Sequence, residues 1–374
     1  MLDGVHLTLL IGPLMAPMPA SLPLMQALQS ARVDVRPERT GFQLSFTLGK
    51  LSPLQILLAS GALDPISTRI VLIVTLSGIP NVICDGVVTQ HTVAPSNEAG
   101  QSTLTLTGED LSALMDLQQV RLSYQAMTDA AIVNFILAKY AMYGIVPLVI
   151  PPLADSPRNP TDGTISQTTT DLAFIRNLSQ NCGYTFYLQP GPIPLQCLAY
   201  FGPDVNQSIP QPALAVNLDW ATNVESLNFS FSGLSKQTTV ITILDPFTHK
   251  IPIPIPLPSI DLLNPPLGAR VIPPARLRYA EDVANLTTEA AIQRAFGLMR
   301  EGANSVSANG SLNVMRYGQI LRARRMVGVR GAGETHDGFY YVESVTHNIK
   351  HGEYKQDFTL VRDGVVSPTP MVIP

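Results

Sequence analysis

Charged side chains are scarce in this sequence. Only 14% of the 374 residues are Asp, Glu, Lys or Arg, whereas 45% are apolar. Soluble domains usually carry about 25% charged residues, so we expect part of the apolar surface to meet another chain. The 24 basic and 28 acidic residues give a net charge of −4, without a long basic run. This balance argues against a protein that binds nucleic acid, because such binding needs clustered Lys and Arg.

The sequence has only three cysteines and no predicted signal peptide. Cys84, Cys182 and Cys197 are an odd number at spacings typical of no metal or redox motif, which predicts free buried thiols in a reducing compartment. The apolar stretch from His6 to Leu24 has no Lys or Arg before it and contains four prolines. It therefore predicts neither a signal peptide nor a membrane span. We expect a chain that is made and assembled in the cytoplasm, with no direct membrane insertion.

Motifs of the common catalytic classes are missing. There is no GxSxG elbow, no HExxH and no P-loop lysine motif. GVRGAG at 328–333 lies between two strand patterns, which favours a turn over a phosphate loop. His347 and His351 are four apart, but one lies in a strand pattern and the other in its turn, which disfavours a metal site. We predict no catalytic residue, no metal ligand, no cofactor and no enzymatic activity.

Carboxylate pairs are the remaining candidates for acid–base chemistry. Glu109 with Asp110, and Glu334 with Asp337, are explained more simply as cap, turn or solvated loop residues than as a catalytic dyad.

Strand patterns dominate what is present, most clearly near the C-terminus. The segment from Tyr340 to Ile349 is rich in β-branched and aromatic residues, and His351-Gly352 forms the predicted turn. In the return strand Tyr354, Phe358 and Leu360 alternate with polar residues. The pattern predicts an antiparallel hairpin with one buried face.

The first part of the chain shows the same alternation. Strands are predicted at Val5–Gly12, at Gly41–Leu48 and, apolar on both faces and therefore central, at Ile70–Leu76. Together with ICDGVVTQHTV and STLTLTG they predict an antiparallel sheet that can close, ending near Leu122.

Two helices are predicted in the middle of the chain. The first begins after the cap Thr128 and ends at Gly144. Its predicted apolar stripe is Ile132, Phe135, Ile136, Tyr140 and Tyr143. A Pro-rich loop follows at 147–160.

The second helix begins after Thr170, ends at Gly183 and leads into the strand YTFYL. Its predicted buried positions are Phe174, Leu178 and Cys182. The helix dipole explains Asp171, and an exposed helical face explains Arg176.

Strands return from Ala213. Leu227, Phe229 and Phe231 alternate with polar residues, and KQTTVITIL is predicted as a further strand of the same barrel, which residues from about 305 to 362 complete. KIPIPIPLP must be polyproline or an edge strand, since proline cannot donate to a ladder. We favour an arm that packs on a neighbouring subunit or on its own barrel over a ligand for a proline-recognition domain.

A helix is predicted around Ala290–Arg300. Its apolar side would carry Ile292, Ala295, Phe296 and Met299.

Several sequence segments together resemble the phage late control gene D family. They are the segments from Arg316 to Gly333 and from Phe339 to Gly364, the phrases GFQLSFTL, CDGVVT and LTLTGEDLSALMD, and TTTDLAFIRNLSQNCGYTFYL. This family comprises baseplate hubs of contractile phage tails and of related injection systems, including the hub part of type VI secretion spikes.

The resemblance implies an α+β, mainly β fold with two tube-forming antiparallel β-barrel domains, a small α/β domain and a Pro-rich insertion. The first barrel is expected at 1–123, the α+β domain at 124–212, and the second barrel at 213–245 and 305–366. The arm and helix insertion is expected at 246–304 and a tail at 367–374.

The resemblance also implies a function: a structural hub, trimeric with pseudo-sixfold symmetry, that adapts a hexameric inner tube to a trimeric spike. Expected partners are two further copies, a spike protein, an inner tube or tube-initiator protein and baseplate components. Because type VI spikes continue into a further barrel and needle, whereas this sequence stops at Pro374, the spike is expected to be a separate chain. The alternatives are a β-rich glycan hydrolase and a monomeric ligand-binding module.

Overall fold

The computed structural model describes residues 4–49, 52–98, 101–152, 155, 157, 165–204, 209–244, 252–260, 264–280, 294–295, 297–300 and 302–368. The strands in chain order are β1 Val5–Pro13, β2 Met18–Pro19, β3 Leu28–Val35, β4 Thr40–Thr47, β5 Thr68–Leu76, β6 Ile79–Ala94, β7 Thr103–Asp110, β8 Leu122–Tyr124, β9 Ile145–Val149, β10 Ile165–Gln167, β11 Thr185–Pro190, β12 Cys197–Gly202, β13 Gln211–Ala215, β14 Val224–Phe231, β15 Gln237–Leu244, β16 Pro252–Pro258, β17 Arg270–Val271, β18 Arg276–Tyr279, β19 Val306–Asn313, β20 Met326–Arg330, β21 Gly338–Lys350, β22 Glu353–Arg362 and β23 Gly364–Val365. The α-helices whose full length lies within the described residues are α1 Leu22–Ala27, α2 Pro53–Ala59, α3 Asp129–Ala138, α4 Asp171–Asn181 and α5 Val314–Tyr317. Among the described helices none is long and apolar enough to span a membrane.

Most strands belong to one 13-stranded sheet, which confirms a mainly-β α+β fold. Its order is β14-β19-β22-β21-β3-β4-β7-β6-β5-β1-β2, with β20 on β21 and β13 on β20. The strands predicted for the two barrels thus form two neighbouring sets of this sheet. They join where β21 pairs with β3, from Val345 opposite Val35 to Lys350 opposite Ser30. The domain boundaries themselves stay a prediction.

The residues predicted to form the buried faces of the strands lie in the core. Phe42, Leu44 and Phe46 of β4 are buried, as are Phe358 and Leu360 of β22. The central position of β5, between β1 and β6, is also confirmed. One hydrophobic cluster contains buried side chains from both sets of strands, so the two sets share a core.

A smaller α+β unit packs against one face of the first set. It contains α3, α4 and a three-stranded sheet in the order β11-β12-β9. Thr128 and Thr170 cap the two helices, each accepting a hydrogen bond from the amide three residues on. The predicted stripe of α3 is wrong at Phe135, which is 50% exposed. The helix instead buries Val133 and Leu137 beside Ile132 and Ile136, because adjacent positions on the buried face contact the sheet.

The predicted loop at 147–160 begins later than expected. Pro147 lies in β9, opposite Ala199 of β12. Because β9 is the edge of its sheet, Pro147 can face open space with its nitrogen, which is where a strand tolerates proline. Residues 153–154, 156 and 158–160 lie outside the described part of the chain.

The assignment of KQTTVITIL to the second barrel is wrong. This segment is β15, the middle of a separate three-stranded sheet in the order β16-β15-β18, which we call the arm sheet. Since β15 bonds to β16 on one edge and β18 on the other, it has no edge left for the main sheet. KIPIPIPLP supplies β16, an edge strand as predicted, and its strand partner within the chain is β15.

The alternating prolines leave β16 with hydrogen-bond donors along one of its edges and none along the other. A proline nitrogen carries no hydrogen, so only Ile253, Ile255 and Leu257 can donate to β15. Successive backbone N–H groups of a strand point to opposite edges. The prolines at 252, 254, 256 and 258 therefore leave the outer edge of β16 without a donor.

The predicted helix at 290–300 is helical at 294–295 and 297–300. Leu298 is its buried side chain, at 4% exposure, and packs with Ile241 of β15. Ile292 and Phe296 lie outside the described residues.

Phe358→Asp tests the register of β22. Phe358 is 3% exposed in the shared core, so a carboxylate there loses its hydration without a partner. We expect loss of soluble folded protein, because this cost of several kcal/mol is comparable with a domain's stability of about 5–15 kcal/mol. Thr359→Asp, on the opposite face, is the control and should change the free energy of unfolding by no more than about 1 kcal/mol. Equal yields and melting temperatures for the two variants would refute the register.

Candidate interaction surface

The face of the main sheet opposite the core is open and polar across seven of its strands, and we call it the polar face. Cross-strand register places polar side chains opposite one another at most positions along this face. Its uncharged members include Ser226, Asn228 and Ser230 of β14, Ser307, Asn309 and Ser311 of β19, Thr359 of β22, Ser344, Thr346 and Asn348 of β21, Gln43, Ser45 and Thr47 of β4, and Thr103, Thr105 and Thr107 of β7. None of these side chains is buried.

The two cations on the polar face, Arg32 and Lys355, pair with its carboxylates. Arg32 and Asp34 of β3 lie 3.1 Å apart. Lys355 of β22 lies 3.1 Å from both Glu225 and Glu353. With Asp357, four carboxylates thus share the two cations, and the face carries a small negative charge.

Hydrogen bonds within the polar face also hold its carboxylates. Thr346 donates to Asp34 at 2.7 Å, and Asn348 donates to Asp357 at 2.7 Å. Burial alone would raise the pKa of Asp34, but the hydrogen bonds from Arg32 and Thr346 lower that pKa below its ordinary value. Asp34 therefore stays ionised and paired at neutral pH.

A buried ion pair anchors the α+β unit where it covers the rest of this face. The Arg69 guanidinium donates to the Asp85 carboxylate at 2.7 and 2.8 Å, and both side chains are at most 2% exposed. Arg69 also donates to the carbonyls of Leu14, at 3.1 Å, and Tyr143, at 2.9 Å. Sequence reasoning missed this pair, although its signal was visible: single opposite charges interrupt two apolar strand patterns.

The first predicted carboxylate pair has a structural role. The Asp110 carboxylate accepts hydrogen bonds from the amides of Thr40, at 2.6 Å, and Ser112, at 3.0 Å. Burial raises the pKa of Asp110. Glu109 instead pairs with Arg39 at the surface, at 3.0 Å. The predicted role of cap and surface residues is confirmed, and the two side chains serve different partners.

GVRGAG forms the end of β20 and a turn, as predicted. Gly331 has a φ of 85°, and a Cβ there would lie 1.9 Å from the carbonyl oxygen of Val216. Only glycine fits this close approach. Asp337 closes the turn by accepting from the Ala332 amide at 2.8 Å, while Glu334 is exposed.

Asp171 does more than complement a helix dipole. It is 2% exposed and accepts hydrogen bonds from Lys139 at 2.8 Å, Tyr140 at 2.9 Å and Gln167 at 2.7 Å. Arg176 is likewise not on a freely exposed face, because its guanidinium donates to the carbonyl of Glu38 at 3.1 Å. Both residues join segments that are distant in sequence, which a local helical pattern cannot reveal.

His347 and His351 are not brought together at a metal site. His347 is buried in β21 with its Nδ1 2.8 Å from the Tyr354 hydroxyl, whereas His351 is exposed in the turn. Burial, followed by the nearby Arg322 charge, lowers the pKa of His347 to about 3. The searched, described residues contain no group of three or more metal-ligating side chains.

The three cysteines are buried and form no disulfide, as predicted. Burial raises the pKa of Cys84 and of Cys197. A thiol held protonated in this way is a poor nucleophile.

Large apolar side chains are exposed at several places, as the low charge content predicts. The highest exposed fractions belong to Trp220, at 93%, Ile209, at 89%, and Ile56, at 71%. Trp220 stands on a tight turn in which Asn217 and Asp219 have φ values of 51° and 47°. Exposed aromatic anchors of this kind are enriched at protein–protein interfaces.

Comparison with solved structures identifies the fold. A tail protein from Neisseria meningitidis MC58 matches with a TM-score of 0.63 at 13% identity, covering 98% of both chains. The 43 kDa tail protein of prophage MuSo2 from Shewanella oneidensis matches with a TM-score of 0.65 at 13% identity, covering 96% of this chain and 99% of that one. This chain has a phage tail-protein fold.

The same fold occurs in a secretion machine. A component of the Escherichia coli type VI secretion system, described as structurally similar to the T4 bacteriophage tail proteins gp27 and gp5, matches with a TM-score of 0.56 at 14% identity, covering 93% of this chain and 77% of that one. No protein-family model and no curated protein sequence matches the chain. The likeness therefore lies in the three-dimensional fold, which the resemblance to hub proteins had predicted.

Asp85→Asn tests the ion pair that anchors the α+β unit. The substitution leaves the Arg69 charge buried without its counterion, so we expect the free energy of unfolding to fall by about 3–5 kcal/mol. Glu109→Gln, which removes one carboxylate charge from the exposed pair with Arg39, is the control and should cost at most about 1 kcal/mol. Urea unfolding measures both, and equal small losses would show that the buried pair is dispensable.

The lowered pKa of His347 predicts a pH dependence. The folded protein keeps this ring neutral down to about pH 3, while the unfolded chain protonates it below its ordinary pKa of 6.5. Acid therefore favours unfolding, and this residue removes about 1.4 kcal/mol of stability per pH unit below pH 6. Urea unfolding at pH 7 and pH 5 should show a smaller difference for His347→Gln than for the wild type. His351→Gln, in the exposed turn, should keep the wild-type difference; identical behaviour of all three proteins would contradict the assignment.

Proposed function

We propose that this chain is a baseplate hub subunit of the late control gene D type, in a phage tail or a phage-derived contractile injection system. The observation that carries the proposal is the nearly full-length match to phage tail proteins. The match to a type VI secretion component supports the wider class of injection systems. In this role the chain is a structural protein, and any cell-wall-cutting activity belongs to a partner.

Three copies around one axis would satisfy the symmetry that a hub requires. Each chain contributes two sets of strands, one with β1 and β3–β7 and one with β13, β14 and β19–β22. A trimer therefore presents six sets to a sixfold inner tube and three copies to a threefold spike. The exposed apolar side chains, Trp220 and Ile209 among them, would be covered by neighbouring copies or baseplate components.

The polar face is suited to line the central channel of such a ring. Its uncharged side chains are hydroxyls and amides, and both of its cations pair with carboxylates of the same face. A wall of this kind is wetted by water and offers few sites where a passing polymer would adhere. The spike and the inner tube would then be separate partner chains above and below the channel.

Mass measurement tests the hub assignment. We expect the chain, co-expressed with a candidate spike protein, to form a complex of three hub and three spike copies, as measured by light scattering. Each hub–hub interface should bury more than about 2,000 Å², as obligate interfaces do. A monomer that binds neither spike nor tube protein, or an assembled particle with only small wet contacts between hub copies, would overturn the proposal.

A further inference from the structure

A small cavity lies where the two sets of strands meet the α+β unit, and we call it the junction cavity. Its walls come from the ends of β3, β4 and β11, from β6 and β21, and from the loop that joins α5 to β20. Its volume is about 80 Å³. Drug-sized molecules occupy cavities of about 300–1,000 Å³, so the junction cavity has room for a small ligand alone.

Three arginines of the joining loop line the junction cavity: Arg322, Arg324 and Arg325. Among the described residues, no carboxylate forms an ion pair with any of them. The Arg324 guanidinium donates instead to two backbone carbonyls of the turn between β3 and β4, and it lies 4.0 Å over the ring of Tyr187. Arg322 and Arg325 are therefore the two cations of the cavity that lack such a set of partners.

The Arg322 guanidinium is fixed in orientation and close to a like charge. Its Nη2 donates to the Oδ1 of Asn81 at 2.6 Å, and the amide group of Asn81 in turn donates to the Ile79 carbonyl at 3.0 Å. Burial, followed by the charge of Arg325, lowers the pKa of Arg322. Two like charges held together in a partly buried place repel each other, and an anion between them removes that cost.

The buried ring of His347 adds a neutral donor. Gln356 donates to the Leu321 carbonyl at 2.8 Å and accepts from the Leu321 amide at 2.9 Å, which fixes its own amide group. Its nitrogen therefore faces the Nδ1 of His347, 3.3 Å away. Nδ1 thus accepts, and the ring hydrogen lies on Nε2.

The Nε2 side of His347 faces the junction cavity. His347 lines the cavity, whereas Gln356 and Tyr354, the partners of its Nδ1, do not. The side chain is only 4% exposed, and within the described part of the chain its Nε2 has no hydrogen-bond partner. A buried donor without a partner indicates that an acceptor belongs in the cavity.

The carboxylates nearest the junction cavity are engaged elsewhere. Burial lowers the pKa of Arg324, and the charges of Asp110 and Asp204 partly offset this. However, Asp110 accepts from backbone amides, and Asp204 has an ion pair of its own. Asp34, which acts on His347, is paired on the polar face. None of the three lines the cavity, so no acidic side chain of this chain fills the place of the anion.

We propose that the junction cavity binds an inorganic oxyanion of the size of phosphate, held by Arg322, Arg325 and the Nε2–H of His347. Guanidinium groups donate paired hydrogen bonds to oxyanions, and this geometry distinguishes arginine from lysine. Because the walls come from both sets of strands and from the α+β unit, the bound anion would link all three. The site lies within one chain and does not depend on the trimeric hub.

Isothermal titration calorimetry on the full-length protein tests the proposal. The probe is sodium phosphate, titrated in a chloride buffer of constant ionic strength, and sodium acetate is the comparison anion. Arg325→Gln is the principal variant, because Arg325 is exposed and its loss should leave the fold intact. Arg322→Gln is the second variant. Arg316→Gln is the matched control, since Arg316 is an exposed residue of α5 that does not line the cavity.

We expect saturable binding of one phosphate per chain. Binding should be at least about tenfold weaker in Arg325→Gln and Arg322→Gln, whereas Arg316→Gln should stay within about twofold of the wild type. Phosphate should also raise the urea midpoint of the wild type and of Arg316→Gln, but not that of Arg325→Gln. Absence of saturable binding, equal losses in Arg316→Gln and Arg325→Gln, or tighter binding of acetate, which would indicate a partner's carboxylate, would overturn the proposal.

Discussion

The structure depends on one strand, β21, that pairs with two different strands along the same edge. β21 has 13 residues; its first part bonds to β20 and its second part to β3, while β22 occupies its other edge. A register shift between Val342 and Ser344 lies where the partner changes, and such bulges bend a strand and increase its twist. Because this strand is shared, the two sets of strands have one core and one continuous polar face. Separating them would break a ladder and expose apolar surface at the same time.

Buried charge plays a second, more local role. Removing Arg69 and Asp85 from water carries a large desolvation cost, which their mutual contact and the carbonyls of Leu14 and Tyr143 offset. An apolar contact would tolerate sliding of the α+β unit over the sheet, whereas these directional bonds are satisfied in one position. The pair thus fixes where the unit sits, and with it how much of the polar face remains open.

Local patterns predicted much of this fold, and the failures share a physical cause. Alternation predicted the faces of β4 and β22, and caps predicted the starts of α3 and α4, because these features depend on neighbours in sequence. The partners of β15, the exposure of Phe135 and the contacts of Asp171 depend on segments far away in the chain. The polar face was visible strand by strand in the sequence, but its continuity follows from the pairing of β21 with β3, which no local pattern encodes.

The alternating prolines of β16 also limit how far the arm sheet can be extended by strands of other molecules. An arm sheet with two open edges could link one copy of the chain to the next without limit, as in a fibre. Since β16 offers no outward donor, stacking of arms must stop there. β16 is thus a terminus for sheet growth on its side of the arm sheet.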